Sequence, residues 1–123
     1  MARKILVVDD NEDIRTFVEI SLKAKGYEII TACDGQEGWE VLQAQKPDLL
    51  IVDVNMPRMD GREVVRRVRA DDALKGMPVI MLTGEDKDED ILTGISGGAD
   101  QYITKPFKIE GLLAGIKMMF EEQ

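Results

Sequence analysis

The sequence predicts an α/β protein in which five strands alternate with five helices, wound into one right-handed parallel sheet covered on both faces. Three observations carry this prediction. "KILVV", "DLLIV" and "PVIML" are continuous apolar runs rich in branched residues, the pattern of parallel strands buried on both sides. Apolar residues at helical spacing fill the intervals between strand-like segments. The chain has 123 residues, which suits one domain with its own core.

Taken in order, "KILVV" is the first strand, and Ile14, Phe17, Val18 and Leu22 mark the first helix. "YEIITA" interrupts its apolar residues with Glu28 and Thr31, which fits an edge strand. Trp39 and Leu42 follow on the second helix, "DLLIV" forms the third strand, and Val64, Val65 and Val68 mark the third helix. After "PVIML" come Ile91 and Ile95 for helix 4, then the short edge strand "QYIT". Ile109, Leu112, Leu113, Ile116 and Phe120 mark helix 5. With strands 1, 3 and 4 central, the expected arrangement is (βα)5, a flavodoxin-like doubly wound parallel sheet of strand order 2-1-3-4-5.

Composition removes several function classes. With 44% hydrophobic and 33% charged residues, four prolines and no low-complexity tract, the chain reads as a compact cytoplasmic protein. No apolar run is long enough for a membrane span or a signal sequence. The single Cys33 allows no internal disulfide, and the absence of histidine excludes Cys/His zinc sites and histidine-based catalysis. A net charge of -8 argues against direct nucleic-acid binding, and Arg62, Arg66, Arg67 and Arg69 read as a solvated helix face.

Open sheets of this type bind ligands at the carboxyl ends of their strands, near the switch point between strands 1 and 3. Strand 1 ends at Asp9 and Asp10, strand 3 at Asp53, strand 4 at Thr83, and strand 5 just before Lys105. Each residue alone has a plain reading, and Asp9-Asp10-Asn11 reads first as a helix N-cap. Together they bring three carboxylates, one hydroxyl and one ammonium to one pocket. Two carboxylates ~4 Å apart repel by roughly 4 kcal/mol at an effective dielectric near 20, and one lysine cannot neutralise three acids. Either the acids take up protons or a divalent cation sits among them, and a hard oxygen-seeking ion such as Mg2+ is the economical solution.

The landmarks "VVDD", "DLLIVDVNMPRMDG", "PVIMLTG" and "GADQYITKPF" resemble, in order and spacing, those of response regulator receiver domains of two-component signalling, over essentially residues 1–123. The resemblance implies that Asp53 is the phosphoacceptor. It implies that Asp10 and Asp53 bind Mg2+ directly, that Asp9 reaches the ion through water, and that the Asn55 carbonyl is a further metal ligand. A partner phosphohistidine, on a sensor histidine kinase or a histidine phosphotransfer protein, would give its phosphoryl group to Asp53 while Mg2+ and Lys105 neutralise charge. Such a protein is a switch and not an enzyme; lacking histidine, it would stand as acceptor in a relay.

The same resemblance implies that Thr83 bonds the phosphoryl group, that Tyr102 turns inward, and that Lys105-Pro106 is a cis peptide. A downstream protein target would read the face made of helix 4, strand 5 and helix 5. Gly94, Gly97 and Gly98 predict either a soft helix 4 or a helix ended by glycine. Asn55 and Glu85 resemble the pair that governs water access in chemotaxis-type receivers, implying a short-lived phosphoryl group. Gly84 stands where many relatives carry alanine. "MMFEEQ" closes the sequence as given with no effector segment, which reads as a stand-alone receiver, and a receiver excised from a longer regulator would read the same.

Rival motifs fail. "EDKDED" resembles an EF-hand start, but Ile91 stands where the loop needs glycine and Gly97 where it needs glutamate. There is no GxxxxGK[ST] and no GxGxxG after a strand. A haloacid-dehalogenase-like phosphatase would need a second Asp two residues beyond Asp53, where Asn55 stands. An interaction module that is never phosphorylated has no need of all five site residues.

Overall fold

The computed structural model describes residues 2–84 and 98–121. Nine elements follow in order: β1 (Lys4–Val8), α1 (Glu12–Lys23), β2 (Glu28–Ala32), α2 (Gly35–Gln45), β3 (Leu49–Asp53), α3 (Gly61–Ala70), β4 (Val79–Gly84), β5 (Gln101–Lys105) and α4 (Ile109–Phe120). The five strands form one parallel sheet of order β2-β1-β3-β4-β5, as the apolar pattern predicts. The fifth predicted helix is α4. Ile91, Ile95, Gly94, Gly97 and the "EDKDED" run lie outside the described residues. Gly98 is described, and its φ of +101° is one that glycine adopts without penalty.

The central strands are buried because both faces of the sheet are covered. Leu6, Val8, Leu50, Val52, Val79 and Met81 pack on one side with Leu42 of α2 and Val64, Val65 and Val68 of α3. The alternate residues Ile5, Val7, Leu49, Ile51, Ile80 and Leu82 pack on the other with Val18 and Leu22 of α1 and Leu112, Ile116 and Phe120 of α4. The strands predicted at the edges are the less covered ones, β2 through its exposed Glu28 and β5 along its whole length. Phe17 departs from the expected core face of α1. It is 48% exposed and borders a shallow apolar cleft with Ile14, Pro106 and Phe107, at the flank of the helix.

Three helices start on a side chain that accepts from the first turn. Asn11 accepts from Ile14, Asp34 from Glu37 and Asp60 from Glu63. The cap of α1 is therefore Asn11, which leaves Asp9 and Asp10 for other work. Among the described residues no helix is long and apolar enough to cross a membrane.

Of the four arginines read as a solvated face, Arg69 is an exception. Its Nε donates to the Gly98 carbonyl at 2.8 Å, and its Nη1 to the Lys75 and Met77 carbonyls at 2.8 and 2.7 Å. Its Nη2 meets Asp100 Oδ2 at 2.9 Å, and that oxygen also accepts the Val79 amide at 2.8 Å. One side chain thus ties the end of α3 to the starts of β4 and β5. Arg69→Met keeps the apolar stem and strips these bonds, so a loss of about 2–4 kcal/mol is expected in urea unfolding. An unchanged midpoint would show that the network is replaceable.

Candidate functional site

The pocket follows from strand register. Val8 of β1 pairs with Val52 of β3, so Asp9 and Asp53 stand side by side one residue further on. Asp53 pairs with Leu82, which places Thr83 of β4 next along the same edge, and Gly84 pairs with Lys105 at the end of β5. Parallel strands end at one edge, so these polar residues converge without any loop having to carry them.

Asp9 is fully buried. Its Oδ1 accepts the Asn11 amide at 2.9 Å, and its carbonyl accepts from Arg15 Nη1 at 2.8 Å. Its Oδ2 lies 2.9 Å from Lys105 Nζ, and the same ammonium lies 3.2 Å from Asp53 Oδ1. Asp53 is 7% exposed, whereas Asp10 is open to solvent. One oxygen from each of Asp9, Asp10 and Asp53 falls within 4.8 Å of the others.

Burial, then the charge of Asp9, pushes the Asp53 carboxyl up to about 6 despite the opposing pull of Lys105, with Asp10 adding to the rise. For Lys105, burial favours the neutral form, but the hydrogen bond to Asp9 and the charges of Asp9 and Asp53 outweigh it and raise the ammonium's pKa. One ammonium therefore faces three acids, two of them buried. The all-oxygen, strongly anionic donor set fits a hard divalent cation such as Mg2+.

The remaining predicted site residues are placed as follows. Thr83 is buried, and its hydroxyl has no hydrogen-bond partner among the described residues; the same holds for the buried hydroxyl of Tyr102, which is half-buried on β5. Asn55 is exposed in the loop after β3. The Lys105–Pro106 peptide is cis. Glu85 lies outside the described residues.

Sequence reasoning missed the residues that fasten the loop between β3 and α3. A Cβ added at Gly61 would stand 2.2 Å from the Asp53 carbonyl oxygen, so glycine alone lets α3 begin against the back of Asp53. Gly61 also donates its amide to Val54 O at 2.8 Å, and Val54 donates to Leu82 O at 3.0 Å. A glycine after an N-cap aspartate was the available signal, inside the segment "MPRMDG". Arg58 and Asp34, joined across the loop, carried no such signal.

Comparison with known proteins agrees with this fold. The family model described as "Response regulator receiver domain" matches residues 5–117. The alkaline phosphatase synthesis transcriptional regulatory protein PhoP of Bacillus subtilis is 42% identical over 117 residues, covering 95% of this chain and 48% of the relative. The chain thus spans about half the length of that curated relative. Among solved structures, chemotaxis protein CheY4 of Vibrio cholerae superposes with a TM-score of 0.90 at 39% identity, covering 97% of this chain and 99% of the other. A CheY-like response regulator receiver domain protein from Methanospirillum hungatei JF-1 gives 0.91 at 30% identity, covering 98% and 95%.

Proposed function

Because the chain belongs to the response regulator receiver domains of two-component systems, we propose that it acts as a phosphorylation switch with Asp53 as acceptor. The observation that carries this reading is the Lys105 ammonium set between Asp9 and Asp53, at 2.9 and 3.2 Å, on the sheet edge where the acids gather. An Asp53 carboxylate oxygen attacks the phosphorus of a phosphohistidine; the P–N bond breaks and the histidine leaves. The donor is a sensor histidine kinase or a histidine phosphotransfer protein. Lys105 orients the carboxylate and meets the charge that develops on the phosphoryl oxygens.

Asp9, Asp10, Asp53 and the Asn55 carbonyl are the groups that would hold Mg2+, whose charge would offset that of the phosphoryl oxygens. The Thr83 hydroxyl, buried without a partner among the described residues, has an unmet donor for a phosphoryl oxygen. Its movement toward the phosphoryl group opens space beside Tyr102, whose hydroxyl is already buried, and the resulting shift of that ring remodels the face formed by predicted helix 4, β5 and α4 for a downstream protein target. Residues 1–123 serve as one cytoplasmic receiver domain that is a switch and not an enzyme, and that binds neither nucleic acid nor membrane directly. As the resemblance of Asn55 and Glu85 to the pair in chemotaxis-type receivers implies, the phosphoryl group is short-lived.

The test is intact mass after incubation with acetyl phosphate and Mg2+. Wild type is expected to gain one phosphoryl group, and Asp53→Asn and an EDTA control none. The adduct should decay well within an hour at neutral pH in Mg2+. No gain in wild type that demonstrably binds Mg2+ would leave an unphosphorylated interaction module.

A further inference from the structure

The loop that leaves Asp53 is held by an arrangement that helix capping alone does not require. Arg58 has φ +68°, and the Met59 amide donates to the Pro57 carbonyl at 2.7 Å, which closes a γ-turn of the rare, strained hand centred on Arg58. Glycine adopts such a φ freely and arginine does not. The arginine side chain crosses instead to the start of α2, where its Nε and Nη2 lie 2.9 and 2.8 Å from Oδ2 of Asp34. Asp34 is 5% exposed, and its other oxygen accepts the Glu37 amide at 2.8 Å. The two backbones also touch: a Cβ on Gly35 would stand 1.8 Å from the Met59 carbonyl oxygen.

Residues 54–61 are therefore fixed at their two ends by Val54 and Gly61, and in the middle by the Arg58 side chain on Asp34 and by Met59 on Gly35. Asn55 lies between the first anchor and the middle one. Strain of this kind persists only where the surroundings over-determine it, and it gathers where a loop must hold one position.

We infer that Arg58 and Asp34 are positioning residues, an ionic latch that holds the loop after Asp53 in the conformation that completes the cation and phosphoryl site. The latch acts through Asn55 and the loop backbone and touches no reacting atom. Its role rests on the reading of Asp53 as phosphoacceptor. A plain stabilising ion pair would contribute to folding and leave cation affinity alone.

Two variants separate these roles. Arg58→Gly removes the side chain at a position where glycine suits the backbone, and Asp34→Asn keeps the helix cap while removing the charge. Arg58→Lys restores a cation without the two-pronged contact. For each, calorimetric Mg2+ affinity, hydrogen exchange of residues 54–61 and the thermal midpoint are measured on the full chain. Arg58→Gly and Asp34→Asn are expected to bind Mg2+ at least five-fold more weakly. Loop exchange should be at least ten-fold faster, with the midpoint within a few degrees of wild type and partial recovery in Arg58→Lys.

Unchanged affinity and exchange in both variants would overturn the latch. So would weakening matched by a general rise in exchange across the sheet, which marks a purely structural pair. Phosphoryl uptake by wild type is scored separately by mass. If wild type binds Mg2+ but takes no phosphoryl group, the functional reading fails, while the latch still stands or falls on affinity and loop exchange.

Discussion

Asp53→Asn is expected to make the metal-free protein more stable while abolishing phosphoryl uptake. Burial and the neighbouring Asp9 raise the Asp53 carboxyl from 3.8 to about 6 in the folded chain, with the attraction of Lys105 already included. The folded state then binds more protons than the unfolded state between these values. The contribution of this group to stability is full below about pH 4 and is lost as pH rises through about 6. A shift of this size corresponds to up to about 3 kcal/mol at neutral pH. The asparagine variant does not carry that penalty, so its thermal midpoint should rise by as much as ~10 °C in EDTA at pH 7.5. The gain should shrink toward pH 4.5, where wild-type Asp53 is protonated, and again in millimolar Mg2+. Thermal and urea unfolding under these three conditions measure it, and a variant less stable than wild type at pH 7.5 in EDTA would refute the repulsive pocket.

Lys105→Met should act in the opposite direction. Methionine fills a similar volume but leaves the fully buried Asp9 and the nearly buried Asp53 without the ammonium now 2.9 and 3.2 Å away. Removing one partner from a buried charge cluster costs about 3–5 kcal/mol, because the remaining charge stays desolvated. Phosphoryl transfer from acetyl phosphate should fall by about 10²-fold or more, since a preorganised cation is lost. Combined with Asp53→Asn, the double variant should be more stable than the sum of the two single changes predicts, because removing Asp53 relieves more repulsion once the ammonium that offsets it is gone. Urea unfolding of the two single variants and the double variant closes the cycle; strict additivity would mean that Asp53 and Lys105 do not sense each other.

The legible parts of this molecule were those governed by period and by strand ends. "KILVV", "DLLIV" and "PVIML" could be placed at the sheet centre because strands covered on both sides need apolar residues in unbroken runs, and their apolar stretches 5–8, 49–52 and 79–82 are all buried. Asp9, Asp53, Thr83 and Lys105 could be grouped because parallel strands finish at one edge, whatever the loops do. Features made by single long side chains were not legible. Arg69 and Arg58 look like any surface arginine until their partners are known, and Asp34 is far from Arg58 in the chain. The left-handed turn at Arg58 was hidden because no glycine marks it. Phe17 has core spacing yet lies at the helix flank, which periodicity does not resolve.

The ion pair between Asp9 and Lys105 joins the first strand of the chain to the last. During synthesis the chain emerges from its N-terminal end, so β1 and β3 are available to pair, and Asp9, Asp10 and Asp53 to meet, before Lys105 has left the ribosome. At that stage the acids of the sheet edge gather with no ammonium to offset them. The last strand brings that counter-charge when it joins β4, so its docking completes the sheet and relieves the repulsion in one event.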